Sequence, residues 1–168
     1  MKKGLLLIIA VLISNIGISQ NFPSNTNQKE SVRDFALMLK PREAKKLNKF
    51  GDKAFKKDSI KLIIVSVKSM DGLDSRNYAY GLGESWKLLE SEKQLLIVLK
   101  PKYEYEKGEI YIATSYGGLE YYISDLTVKG ILDNSIIPQF KKQKIYKGLK
   151  VGIKEVYTDI KKTLYNNT

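Results

Sequence analysis

Two nearly unbroken apolar runs constrain the fold most: IKLIIVSV at 60–67 and QLLIVLK at 94–100. Both are rich in branched aliphatic residues and short, so they read as strands covered on both faces, and such strands need helices on either side of their sheet. The neighbouring segments supply them. Pro41 suits the first position of a helix through REAKKLNKFGDKAFKKD, where its missing N–H costs nothing. In that segment Leu47, Phe50 and Ala54 fall at helical spacing, with Lys46, Lys49, Lys53 and Lys57 as a basic stripe on another face. A second helix follows DGLD, capped by Asp74 or Ser75, with Tyr78, Leu82, Trp86 and Leu89 on one side.

Pro101 ends the second strand. KYEYEKGEIYIATS then reads as a hairpin arm turning at Lys107 and Gly108, with a returning strand over 109–115. The alternation of Tyr103 and Tyr105 with Lys102, Glu104 and Glu106 admits either a half-exposed strand or an aromatic binding face. Helices over about 125–134 and over 146–164 complete the chain, the last with Leu149, Ile153, Val156, Ile160 and Leu164 on one side. The expected fold class is α/β, a three-layer α/β/α sandwich around a small mixed central sheet. A chain of 168 residues with 43% hydrophobic residues suits one such domain.

The amino terminus stands apart from it. Lys2 and Lys3 precede the apolar stretch GLLLIIAVLI, and small residues at Gly17 and Ser19 suit cleavage before Gln20. Residues 1–19 are therefore expected to be a signal peptide, 20–31 a flexible leader, and 32–165 the folded domain. The protein is expected to be exported, to the periplasm or beyond. An uncleaved anchor is the minor alternative, because Ser14 and Asn15 interrupt the run well short of the ~20 apolar residues a membrane span needs. No second apolar span follows, so no transmembrane helix is expected in the mature chain.

Composition narrows the chemistry. The chain has no Cys and no His, which removes Ser-His-Asp and Cys-His hydrolysis, Cys or His phosphatase nucleophiles and ordinary zinc sites. The net charge is +11, falling by Lys2 and Lys3 to +9 for the mature chain. Arg33, Arg42 and Arg76 are the only arginines, whereas phosphate and base recognition favours Arg. Nucleic acid is accordingly not the expected partner; an envelope protein or an anionic surface is, with the chain itself a monomer.

Several motifs, in order, resemble the TPM domain family, named for its thylakoid, photosystem-repair and nematode members. Val32-Arg33-Asp34 followed by Leu39-Lys40-Pro41-Arg42-Glu43 resembles the family's V-x-D and L-S-P-E-E. Trp86 stands before a buried strand, and Ser115-Tyr116-Gly117-Gly118-Leu119-Glu120 with Ser124-Asp125 resembles G-Y-G-L-E and T-D. Ile136-Ile137-Pro138-Gln139-Phe140 and Tyr146-Lys147-Gly148-Leu149 resemble I-x-P-x-F and Y-x-x-G-L. The likeness covers residues 32 to about 160. It departs after Trp86, where KLLESEKQLL replaces W-G-I-G and D-N-G-V and leaves Glu90 or Glu92 as a shifted substitute.

The resemblance implies calcium binding, and a phosphatase activity proposed for thylakoid members. Calcium takes six to eight oxygens, and Asp34, Glu120 and Asp125, with backbone carbonyls near Gly117 and Gly118, are the candidate ligands. Each has a plainer duty available. Asp34 can brace its own loop, Asp125 can cap a helix, and Glu120 can be solvated. The glycine pair could also cradle a phosphate, but the two carboxylates beside it repel a bare anion. The expected functions are a calcium-binding interaction module of the envelope, a weak metal-dependent phosphatase, or a basic module on anionic membranes.

Overall fold

The computed structural model describes residues 21–88, 93–114 and 118–166. Strands β2 (Lys61–Ser66) and β3 (Gln94–Lys100) form from the two apolar runs and pair parallel, from Lys61 opposite Gln94 to Ser66 opposite Leu99. Strand β4 (Glu109–Thr114) returns antiparallel on β3, from Glu109 opposite Lys100 to Thr114 opposite Leu95. A further strand escapes the sequence pattern. β1 (Val32–Asp34) has only three residues, too few for periodicity to show, and pairs parallel with Ile64–Ser66 to complete the order β1-β2-β3-β4.

Pairing β4 directly onto β3 corrects the expected hairpin arm. Residues 101–108 carry no strand and form the connection itself, so the Tyr103 and Tyr105 alternation is not that of a pleated ribbon.

Helix α1 (Pro41–Asp58) opens on its proline, and Glu43 reaches back to accept the Lys40 N–H at 2.9 Å. Lys46, Lys49, Lys53 and Lys57 are exposed along it. Helix α2 (Ser75–Ser85) is capped by Asp74, whose side chain accepts the Asn77 N–H at 2.8 Å. Trp86 ends that helix, and Leu89 lies outside the described residues. Helix α3 (Asp125–Ile131) passes through a π turn (Leu132–Ile136) into α4 (Ile137–Lys141), and α5 (Ile145–Asn166) follows. The helix expected to stop near Asn134 therefore runs on past Pro138. Proline has no N–H for the ordinary i→i−4 bond, and the wider turn just ahead of it lets the chain continue.

One sheet face packs Leu62, Ile64, Leu95 and Ile97 against α1, α3 and α5; the other packs Ile63, Val65, Leu96 and Val98 against α2 and Trp86. This is the expected three-layer sandwich with a mixed sheet. Both parallel crossovers step the same way along the sheet, yet α1 and α2 lie on opposite faces. The two crossovers are thus of opposite hand, and one departs from the strong right-handed preference. Connections that leave adjacent strands for opposite faces open a crevice at the strands' carboxyl ends.

The leader has no regular element but lies against α2. Phe22 meets Tyr78 edge-on with ring centroids 5.2 Å apart, and the Trp86 indole N–H donates to the Pro23 carbonyl at 2.7 Å. At the sheet's amino end, Asp58 accepts hydrogen bonds from the hydroxyls of Tyr157 and Tyr165, tying α1 to the last turns of α5. Burial pushes the Asp58 pKa upward, but those two hydroxyls and the charges of Lys161 and Lys57 outweigh it, leaving the carboxyl below its ordinary value. The stability it contributes is present above the unfolded value of ~3.9 and disappears as pH falls through the lowered folded value. Burial, with the Asp71 charge added, pushes Tyr78 up to about 12, and burial with the Asp58 hydrogen bond raises Tyr157. Their contribution is intact below about pH 10 and is lost as pH rises through the folded values. Thermal midpoints are expected to be level near neutrality and to fall on both flanks, with Asp58→Asn flattening the acid limb and Tyr78→Phe weakening the alkaline one.

Candidate functional site

Asp34 ends β1 and turns its carboxylate onto the backbone that follows. One oxygen accepts the Met38 N–H at 2.9 Å and the Ser66 hydroxyl; the other accepts the Leu39 N–H at 2.8 Å. Ser66 Oγ in turn accepts the Ala36 N–H at 3.1 Å. The crevice between β1 and β2 is filled by this network, and Asp34 acts as the brace of its own loop.

Glu120 and Asp125 belong to the other end, where Glu120 and Ser124 line a hollow with Asp159 and Lys162 of the helix that Tyr165 ties to Asp58. β4 finishes at Thr114 opposite Leu95, whereas Asp34 pairs with Ser66, itself opposite Leu99. At about 3.3 Å per residue the step from Leu99 back to Leu95 alone is about 13 Å, beyond the reach of one ion with bonds of about 2.4 Å. Glu120 bends back to accept the Gly118 N–H at 3.0 Å; Gly117, Glu90 and Glu92 lie outside the described residues. Ser124, not Asp125, is the cap of α3, accepting the Thr127 N–H at 3.2 Å, and Asp125 occupies the first turn, where a negative charge suits the helix dipole. Among the described residues no three acidic side chains gather as a metal site. The three-carboxylate set does not fit a shared calcium ion.

What the braced loop builds instead is one wall of a cleft of about 930 Å³ at the carboxyl ends of the strands. Ala36, Leu37 and Met38 form that wall, Pro101 to Tyr103 a second, and Ile137, Phe140 and Ile145 of α4 and α5 a third. Two backbone positions around it are unusual. Leu37 holds φ 56° and Gln143 φ 58°, left-handed conformations that glycine adopts more cheaply. The Leu37 N–H donates to the Asp34 carbonyl at 3.3 Å. Gln143 sits in the left-handed position of a Schellman ending to α4, with Gln143 N–H bonded to the Phe140 carbonyl at 2.8 Å and Lys144 N–H to the Gln139 carbonyl at 2.9 Å. The first turn aims Leu37 outward at 82% exposure, and Tyr103 stands 43% exposed on the facing wall.

The cleft is polar at its rim. Lys100 contacts Glu106 at 3.0 Å and Glu109 at 3.5 Å, and the hydrogen bond to Glu106, helped by the Glu109 charge, raises its pKa against the opposing effect of desolvation. Glu109 also accepts the Ser75 N–H at 3.0 Å, which ties the start of α2 to β4. Among the described residues Lys102 and Lys141 have no acidic partner, and both are exposed. The sequence carried two hints of this site, Tyr103 and the basic KKQK stretch at 141–144, but no pattern linked them to Leu37.

A lopsided α/β/α sandwich with a four-stranded mixed sheet and a cleft at its carboxyl edge defines the class of protein. Solved structures share the fold. The N-terminal domain of a protein from P. gingivalis is similar at a TM-score of 0.70 and 20% identity, over 83% of this chain and 87% of that one. The BA42 protein of Bizionia argentinensis is similar at 0.60 and 21% identity, over 74% and 83% of the two chains. The N-terminal domain of the cg2496 protein of Corynebacterium glutamicum is similar at 0.58 and 14%, over 82% and 84%. No curated protein matches the chain. The family model for the TPM domain matches residues 32–159, and the chain belongs to the TPM domain family. No helix among the described residues is long and apolar enough to cross a membrane.

Proposed function

We propose that this TPM domain is an exported binding module that holds its partner in the cleft between the Asp34 loop, the β3–β4 connection and the α4–α5 corner. The observation that carries the reading is Asp34 itself. Its carboxylate is committed to three donors that shape the cleft wall, so the residue suits a binding scaffold better than a metal centre. Two of the five left-handed non-glycine residues among the described ones, Leu37 and Gln143, line this cleft. The phosphatase alternative needs the carboxylates around one ion and has the least support from their separation.

Calcium is the second reading, narrowed to Glu120, which lines a hollow of about 480 Å³ together with Asp159. One titration series separates the two. Short mixed-sequence peptides of acidic, neutral and basic composition, followed by amide NMR, are expected to move resonances of Leu37, Tyr103 and Gln143 with at least one composition. Calcium chloride is expected to move Glu120 and Asp159 and to leave the cleft unmoved. Peptides that shift nothing at the cleft would remove the first reading, and a calcium response unaltered by Glu120→Gln would remove the second.

A further inference from the structure

We infer that the cleft takes an extended acidic segment of a protein partner, with apolar side chains against Leu37 and Tyr103 and carboxylates on the lysine rim. The inference rests on the cleft being a binding site and specifies what fills it. Charge comes first. Lys102 and Lys141 are exposed without acidic partners, and Lys142 and Lys144 continue the basic rim along the α4–α5 corner, whereas Lys100 is already satisfied by Glu106 and Glu109. Charges at the rim of an interface steer and orient a partner of opposite sign. A second copy of this chain, with its net charge of +9 once Lys2 and Lys3 are removed, is repelled. No arginine lines the cleft, which disfavours nucleic acid relative to a carboxylate-bearing chain.

Shape and polarity agree with a peptide. The cleft runs from Ser75 at the start of α2 to Gln143 at the far corner, from the helix layer on one face of the sheet to that on the other. Two helix layers about 10 Å to either side of a sheet are about 20 Å apart, which about six extended residues span. An extended chain alternates its side chains, so one set can meet the apolar wall of Leu37, Met38 and Phe140 while the other meets the lysines. A bilayer offers a flat face to a concave site.

The test uses the purified protein and four probes. Three are fluorescein-labelled dodecapeptides that alternate Leu and Phe with Asp, with Ser or with Lys; the fourth is vesicles of phosphatidylglycerol and phosphatidylcholine in equal parts. The Asp peptide is expected to bind about tenfold more tightly than the Ser peptide and to weaken with salt, with no binding of the Lys peptide. Lys102→Glu combined with Lys141→Glu is expected to weaken it about tenfold through surface charge alone. Leu37→Gly is expected to weaken it while leaving the protein folded, since glycine accepts the left-handed turn. Equal binding of all three peptides, tighter binding of the Lys peptide, or vesicle binding in place of peptide binding would overturn the inference. A neutral or basic peptide seated at Leu37 would still leave the cleft a binding site; no probe at the cleft at all would end both readings.

Discussion

Asp34→Ala is expected to lower the stability of the protein by about 3–4 kcal/mol, because hydrogen bonds to a charged acceptor contribute about 1.5–3 kcal/mol each and partial solvent access tempers their sum. The Met38 and Leu39 N–H groups lose their acceptor and the Ser66 hydroxyl loses its partner, so the loop that carries Leu37 loses its shape as well. Urea denaturation gives the stability change, and for a domain of this size the thermal midpoint should fall by about 10 °C. Asp34→Asn keeps one acceptor oxygen and should recover roughly half the loss by the same reasoning. A loss below about 1 kcal/mol for the alanine variant would mean that water replaces the carboxylate, a behaviour expected only of exposed bonds. A calcium response at Glu120, the second reading proposed above, would be indifferent to either change, since Glu120 lines a hollow with Asp159 and Asp34 braces the carboxyl end of β1.

Gly152→Val is expected to cost about 3 kcal/mol, at the upper end of overpacking penalties. A Cβ at Gly152 would stand 2.2 Å from Ile136 Cγ1 and 2.3 Å from its Cδ1, and Ile136 is 0% exposed in the π turn. One turn earlier, a Cβ at Gly148 would stand 2.8 Å from the Phe140 ring and 3.0 Å from the Ile136 carbonyl oxygen. The two glycines therefore let α5 lie directly against the π turn and α4, which form one wall of the cleft. Shrinking the obstacle should restore the fit. In the Gly152→Val, Ile136→Ala double variant the two losses should be less than additive by at least about 1 kcal/mol, the coupling expected of residues in contact. Strict additivity would show that α5 is not seated as described.

How much of this was legible depended on the distance over which each signal acts. Strands β2 and β3 announce themselves because burial on both faces demands unbroken apolar runs, and α5 does so because one buried stripe repeats every turn. Glu43 and Asp74 mark helix starts by bonds that span three residues. The ordered motifs resemble those of the family to which the chain belongs. The failures are of a different kind. β1 is too short to carry a period, the tyrosines after Pro101 mimic one without a neighbouring strand, and Pro138 conceals a helix that continues by widening.

The candidate site divides in the same way. Sequence alone determined that chemistry here would rest on carboxylates, hydroxyls and lysines, since there is no His or Cys, and it singled out Asp34, Glu120 and Asp125. Only the tertiary structure decided that they do not meet. Asp34 finds its partner in Ser66, 32 residues away, across a parallel pairing that no local pattern records. β4 returns antiparallel to Thr114 opposite Leu95, and Glu120 shares a hollow with Asp159 of α5 rather than with Asp34. Side-chain chemistry is written residue by residue, whereas which residues face one another follows from strand order and register, and these are set by how the whole chain buries its apolar runs.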